Sequence, residues 1–324
     1  MKDKITRTII YSILGNTTGA VFENVEYEPA SRKYDLSSAP LAGLLSFIPH
    51  TVNEHVRTGG IVDEGHISLL LLKVLTNDGE FNRDSVINEF RELHDISTRF
   101  PFEDSLNNAI FNLIHGGKDM RVNSESYGVL SGILPIALIN YLNPDKALSD
   151  IKEYIEIFNT NESLYIAAEI YVKTLFAALQ GQVVDYTFLY DIEMQCPESR
   201  IKHILNELSK FHFLSETDEV IRTIGNGSTV AEVIPLSIWI FLRYLGDADK
   251  TYLEAVTAMG SWGGKTDAIG FFTGALIGAY YGKVPEFDKL SSGLELKEDI
   301  VELAEDLYLL AVKAKETPVR FKVL

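Results

Sequence analysis

The 324-residue chain has one cysteine, Cys196. That excludes an internal disulfide and suits a reducing compartment. Basic residues are also scarce: 29 Lys and Arg stand against 46 Asp and Glu, a formal net charge of −17. A surface that grips a phosphate backbone must displace counterions with clustered Lys and Arg, so nucleic acid is not an expected partner. The acid excess reads instead as a solubility device. Long apolar runs are missing as well. The stretch 129–142 is broken by Ser131, Gly132, Pro135 and Asn140, well short of the roughly 18–20 uninterrupted residues of a membrane helix. The charged start, 1–8, leads into only a short apolar segment, 9–14, without a convincing small-residue cleavage site for a signal peptide. No membrane partner and a cytoplasmic location are therefore expected. Low-complexity linkers and fixed-period repeats are absent too.

What is present is apolar residue in helical register. Hydrophobic residues make up 46% of the chain, enough for a sizeable core and against disorder. Apolar positions spaced by three and four run through 5–20, 66–75, 84–93, 105–114, 148–158, 164–179, 198–211, 231–245, 252–260 and 296–315. Strand signals are weak, and 183–189 is the best candidate. Helices joined by short polar turns over the whole length predict an all-α fold, read as one multi-helix domain over 1–324. The region 24–60 lacks periodicity and holds Pro, Ser and Gly. A loop of that length reads as a cover over a site or as a mobile segment.

Four segments carry chemistry. In 15–23, Gly15 and Gly19 lie four apart, which permits close helix approach, and Glu23 follows one turn later. In 59–65, Asp63 and Glu64 precede an apolar helix; adjacent carboxylates there either cap the helix or bind a hard cation. In 225–235, Gly225 and Gly227 open a helix, a turn that suits phosphate, although no strand precedes it. In 260–270, Gly263, Gly264, Lys265 and Asp267 lead into a helix with Gly274, Gly278 and Gly282 at four-residue spacing.

Taken in order, these segments resemble the ADP-ribosylglycohydrolase family. The first is similar to its Gly-Asp-x-x-Gly-x-x-x-Glu pattern and the second to Thr-Asp-Asp-Thr. The third is similar to Gly-x-Gly…Glu-x-x-Pro. The fourth is similar to Gly-Gly-Asp-Thr-Asp-Thr-Ile followed by Gly-Ala-x-x-Gly-Ala-Tyr-Tyr-Gly, matched at 274–282. Tyr127, Gly128, Ser131, Gly132 and Pro135 stand where the family has Asn-Gly-x-x-Met-Arg-x-x-Pro. The resemblance spans about 8–283 and leaves a C-terminal helical tail, 284–324. It implies an all-helical hydrolase with a two-ion centre, usually magnesium, acting on an ADP-ribosylated substrate or an ADP-ribose-like small molecule.

Mapped onto that pattern, Glu23, Asp63 and Asp267 are kept. Glu64 replaces aspartate, Val62 and Ala268 replace threonines, Asn16 replaces aspartate, and Lys265 replaces aspartate with a reversed charge. Four matched carboxylate positions thus hold Asp63, Glu64, Asp267 and Lys265. An ammonium beside a pair of divalent ions costs several kcal/mol even at an effective dielectric of about 20. The expectation is one magnesium ion or none, at low occupancy on Asp63, Glu64 and Asp267, with Lys265 paired to Asp63 or Asp267 in place of a cation. Glu23 and Asp63 are the candidate catalytic pair for activating water. Tyr127, Gly128, Ser131, Gly225, Gly227, Gly263, Gly264 and Lys265 are the candidate substrate contacts. The alternative is a catalytically inactive relative that binds ADP-ribose, a nucleotide or a protein partner. Asn161 stands where many relatives have histidine. His66 reads as a surface or capping residue before a ligand or base, Trp262 as core before a stacking partner, and Cys196 as incidental.

Overall fold

The computed structural model describes residues 1–23, 59–92, 102–116, 121–182, 186–211, 217–225, 227–258 and 264–316. Their regular elements are helices, and the only β-type pairing among them is an isolated bridge between Val122 and Asn159. In chain order they are α1 (Lys2–Gly19), α2 (Asp63–Asp78), α3 (Arg83–Glu92), α4 (Asp104–His115), α5 (Ile133–Ile139), α6 (Pro144–Phe158), α7 (Glu162–Leu179) and α8 (Tyr186–Gln195). They continue as α9 (Arg200–Lys210), α10 (Thr217–Ile224), α11 (Val230–Arg243), α12 (Ala248–Leu253), α13 (Thr266–Tyr281), α14 (Pro285–Leu290) and α15 (Lys297–Glu316). A 3₁₀ turn, Gly128–Gly132, leads into α5, and one π turn, Glu254–Ala258, follows α12. The expected strand at 183–189 is corrected: α8 starts at Tyr186, and 183–185 lie outside the described residues. Its aromatic and apolar residues invited a strand reading, but from Tyr186 on the backbone is helical and α8 packs against α9. Of the expected cover loop, only Gly59 and Gly60 are described.

Local chemistry sets several helix starts. Asn143 accepts from the Lys146 N–H with Pro144 in the first turn, and Ser199 accepts from Lys202 N–H; both satisfy donors that a helix leaves open. Asn161 accepts from Ser163 N–H at 3.0 Å and donates to Asn123 at 2.9 Å. It is therefore the cap of α7.

The core is organised around α13, which is buried from Thr266 through Ala279, as expected of a helix apolar all round. It runs antiparallel to α1 along a seam that repeats every four residues. A side chain on Gly278 would collide with the Arg7 backbone, and one on Gly274 with the Tyr11 carbonyl. One on Gly270 or Gly15 would strike the other's carbonyl, and one on Gly19 would strike the Thr266 carbonyl. Glycine is required here for backbone proximity. Around the seam, Tyr252 donates to the Leu14 carbonyl at 2.9 Å and lies 2.7 Å from the Thr18 hydroxyl. Tyr171 donates to Phe272 O at 2.9 Å, and Thr266 Oγ1 donates to Gly19 O at 2.7 Å. At the other end, Asp288 of α14 accepts from Arg7 Nη2 at 3.0 Å and from Tyr11 Oη at 2.8 Å.

Two outcomes follow from this packing. Gly270→Val should lower unfolding free energy by about 3 kcal/mol, the upper end for overpacked sites, in a urea melt. Gly293→Ala, where a Cβ meets nothing within 4 Å, should stay within about 0.5 kcal/mol. Partial burial pushes the Asp288 carboxyl up, but the bonds from Arg7 and Tyr11 outweigh it and hold the group below the usual carboxylate range. A depressed folded-state value contributes stability that is present above the unfolded value near 3.9 and lost as pH falls through the folded one. Asp288→Asn should therefore lower the melting temperature at pH 7 and flatten its decline below about pH 4. An unchanged acid limb would contradict this.

Candidate functional site

The seam brings the end of α1 against the start of α13, so the first and fourth sequence segments meet. Glu23 lies just beyond α1, and Lys265 caps the N-terminal end of α13. Their side chains form a close ion pair. This corrects the expectation that Lys265 pairs with Asp63 or Asp267: its bonded partner is Glu23, while Asp267 and Glu64 act on it only through their charge. Burial opposes the ammonium, yet these three carboxylates together raise its pKa above the usual lysine range. The correction has a simple origin. Lys265 precedes the helix, whereas Asp267 is already within its first turn.

The second segment enters through α2, whose first turn carries Asp63 and Glu64. Asn16, buried in the last turn of α1, ties that turn down. Its Nδ2 donates to Glu64 Oε2 at 2.7 Å, and its Oδ1 accepts from the Gly65 N–H at 3.0 Å. One carboxylate oxygen from each of Asp63, Glu64 and Asp267 lies within 4.8 Å of the others. Asp63 is half-buried, whereas Glu64 is 2% and Asp267 4% exposed. Burial, then the charges of Asp63 and Asp267, push the Glu64 carboxyl well above its usual range. Burial, then Glu23 and Asp63, do the same to Asp267 against the pull of Lys265. Asp267 Oδ1 is buried and receives no hydrogen bond. Two helix N-termini converge on these groups, and their free N–H ends favour negative charge.

Tyr127 is 3% exposed. Burial comes first in holding its phenol neutral, followed by the charges of Asp267, Glu64, Asp63 and Glu103. Gly128 donates its N–H to Glu103 Oε2 at 3.3 Å. Ser131 is fully buried and turns its hydroxyl toward the Gly128 carbonyl at 3.5 Å, which leaves it facing the core. Glu103 is a residue that sequence reasoning missed. It is pushed up by burial and feels Lys265 and Asp63, but in the sequence it is only an acid before a helix. No motif marks it.

Gly225 and Gly227 have φ of 120° and 89°, in the region that glycine reaches at little cost. The anion inside their turn is the chain's own Glu232. Its Oε2 accepts from Gly227 N–H at 3.2 Å and Ser228 N–H at 2.9 Å. Its Oε1 accepts from Arg200 at 2.5 Å, and Arg200 also reaches Glu125 at 3.2 Å. The expected phosphate cradle is thus corrected for these two N–H groups, because an internal carboxylate already uses them. Gly227 still borders the site, since a Cβ there would lie 3.5 Å from Lys265 Cβ. Gly264 is buried beside Lys265. Gly263 and Trp262 lie outside the described residues. His66 sits in the first turn of α2, partly buried and bonded to the Ile61 backbone, with burial lowering its pKa. Cys196 is buried with its sulfur 3.7 Å from Ser199 Oγ.

The ADP-ribosylglycohydrolase family profile matches residues 1–317, so it also takes in most of the tail that the sequence motifs left out. A protein of Acanthamoeba polyphaga mimivirus, provisionally named ADP-ribosyl glycohydrolase L543, is 23% identical over 292 residues, 86% of this chain and 87% of its own. Human ADP-ribosylhydrolase ARH3 is 36% identical over 97 residues, 27% of this chain and 26% of its own. A solved structure titled "ADP-ribosylglycohydrolase-related protein complex" superposes with a TM-score of 0.72 at 16% identity, covering 96% of this chain and 98% of that one.

The Glu232 turn yields its own test. Glu232→Ala should cost about 1–3 kcal/mol by urea unfolding, because the Gly227 and Ser228 N–H groups lose their acceptor. Glu232→Gln, which keeps an acceptor oxygen, should cost less. Equal losses would mean that the turn does not depend on this bond.

Proposed function

The chain belongs to the ADP-ribosylglycohydrolase family, and from that premise we propose that it hydrolyses an ADP-ribosyl N- or O-glycosidic bond at a site holding one divalent cation. The observation that carries this reading is the trio of Asp63, Glu64 and Asp267, with one carboxylate oxygen of each within 4.8 Å of the others, beside a buried Asp267 Oδ1 that receives no hydrogen bond. Oxygens flanking one hard cation at about 2.0–2.6 Å span a comparable distance. The donor set is all-oxygen and anionic, which suits magnesium, manganese or calcium rather than a soft metal. Burying such carboxylates together without a counter-charge is costly, so the residues fit the ion.

Asp63, Glu64 and Asp267 would hold that cation, which when bound supplies positive charge to orient the ribose hydroxyls and a water. The remaining steps belong to the chain. Asp63, the most exposed of the three, accepts a proton as the water oxygen bonds to the anomeric carbon. The bond from that carbon to the acceptor nitrogen or oxygen breaks, and the departing atom takes up the proton that Asp63 received from the water. Glu23 shares its carboxylate with Lys265 and so serves to position rather than to accept the proton. Lys265 stands beside the trio as a fixed positive charge, which supports one ion in place of two.

A second reading, a binder without turnover, is favoured by one observation: the ion pair with Lys265 takes up Glu23, which leaves Asp63 alone of the two carboxylates that the resemblance offers for activating water. A thermal-shift titration with Mg²⁺, Mn²⁺ and ADP-ribose, run beside release of ADP-ribose from modified serine and arginine peptides, separates the two. Hydrolysis predicts a cation-dependent rise in melting temperature, its loss in Asp267→Asn, and release above background. A shift with ADP-ribose but no release supports the binder, whereas no shift with any cation and no release sinks the hydrolase. Lys265→Asp should tighten Mn²⁺ binding tenfold or more, about 1.4 kcal/mol.

A further inference from the structure

We infer that Asn16 is a positioning residue that sets Glu64 in its cation-binding pose before any cation arrives. The inference rests on reading Asp63, Glu64 and Asp267 as a cation site, but its geometric basis is separate. Asn16 is fully buried on α1, and its amide has one satisfying orientation. The Gly65 backbone N–H can only donate, so the atom it meets at 3.0 Å is the amide oxygen. The amide nitrogen must then face Glu64 Oε2 at 2.7 Å, where a carboxylate is a matching acceptor. One side chain thus fixes both the backbone start of α2 and the carboxylate that this start presents.

The packing explains why the lock is stiff. Gly65 lies so close that a Cβ there would be 3.1 Å from Asn16 Oδ1 and closer still to the Ile61 side chain. Asn16 itself follows Gly15, whose backbone contact with Gly270 holds α1 against α13. Glu64 on α2 is therefore referenced, through Asn16, to the same seam that places Asp267. An aspartate at this position would accept from Gly65 but could not donate to Glu64 while ionised. Two carboxylates would then face each other inside the protein. The neutral amide removes that repulsion and supplies a donor, so the pose of Glu64 does not require a cation to hold it. Partners of this kind behind a ligating group commonly carry about 10–100-fold of metal affinity.

The test uses the full chain with two readouts. In EDTA, Asn16→Asp should lower the melting temperature, and the exchange Asn16→Asp with Glu64→Gln should restore most of it. In that exchange the carboxylate moves to α1 and the amide to α2, so the donor–acceptor pair is reversed while the Gly65 N–H keeps its acceptor. Second, Asn16→Ala, verified as helical by circular dichroism, should weaken Mn²⁺ binding by about 10–100-fold in calorimetry. The inference is overturned if the exchange melts no higher than Asn16→Asp alone, or if Asn16→Ala binds Mn²⁺ as tightly as the parent. Should the parent itself bind no Mn²⁺, the cation reading falls, while the melting arm in EDTA still decides whether Asn16 sets Glu64.

Discussion

Backbone contact between α1 and α13 is the constraint on which the rest of this molecule depends. Ordinary side chains hold helix axes about 8–10 Å apart. Here glycines at 15, 19, 270, 274 and 278 remove that spacer, and the two helices touch main chain to main chain over four successive turns. Such contact fixes register as well as distance, because a slip of one residue would drive a side chain into a carbonyl. The register matters for chemistry. It sets the end of α1, with Glu23, opposite the start of α13, with Lys265 and Asp267, and it presents Asn16 to α2 two turns before Glu23. A site whose Glu23 and Lys265 are 242 residues apart in sequence is thereby held by main-chain contact between two helices.

On that frame the electrostatics are concentrated and lopsided. Two helix N-termini face one another across Asp63, Glu64 and Asp267, and their N–H ends soften the cost of the three carboxylates without removing it. The remaining imbalance is visible in the raised values of Glu64 and Asp267 and in the bare Asp267 oxygen. The ammonium nearby does not relieve it by direct contact, because Lys265 spends its short bond on Glu23. The structure therefore divides the site into a satisfied half, Glu23 with Lys265, and an unsatisfied half, the carboxylate trio. Only the second half has a use for an added cation.

Much of this was legible in the sequence, for identifiable reasons. Helices with clear three-and-four spacing, such as 5–20, 164–179 and 296–315, fold within a few residues of the expected limits, because burial of one face is what the spacing encodes. The trio was legible only through the resemblance, because Asp63 and Glu64 alone read as readily as helix caps and it is the order of the segments that joins them to Asp267. Three things were not legible. The 183–189 segment is apolar and aromatic over too few residues for periodicity to separate strand from helix. Glu103 reaches the site through a long-range approach of α4 to the Gly128 turn, which no local pattern records. The partner of Lys265 depends on where a flexible side chain points once α1 and α13 are docked, and charge counting cannot choose among several nearby acids. The Gly225–Gly227 turn shows a different limit: its shape was readable, but its anion turned out to be Glu232, five residues beyond Gly227.

Two departures from the family pattern share a physical logic. Asn16 and Lys265 both stand where the resemblance leads one to expect aspartate, and each now directs an N–H donor at a remaining carboxylate, Glu64 in one case and Glu23 in the other. Each exchange removes a negative charge from a crowded cluster and adds a donor that can hold a neighbouring acid in place. A site made this way needs less positive charge from outside to stay assembled, and it offers fewer ligands to any ion that enters. On the one-cation reading proposed above, those two consequences come from the same substitutions: the features that let the carboxylates stand without a second cation are the features that leave a second cation few ligands. The glycine seam is untouched by either change, so the scaffold keeps its geometry while the charge inside it is rebalanced.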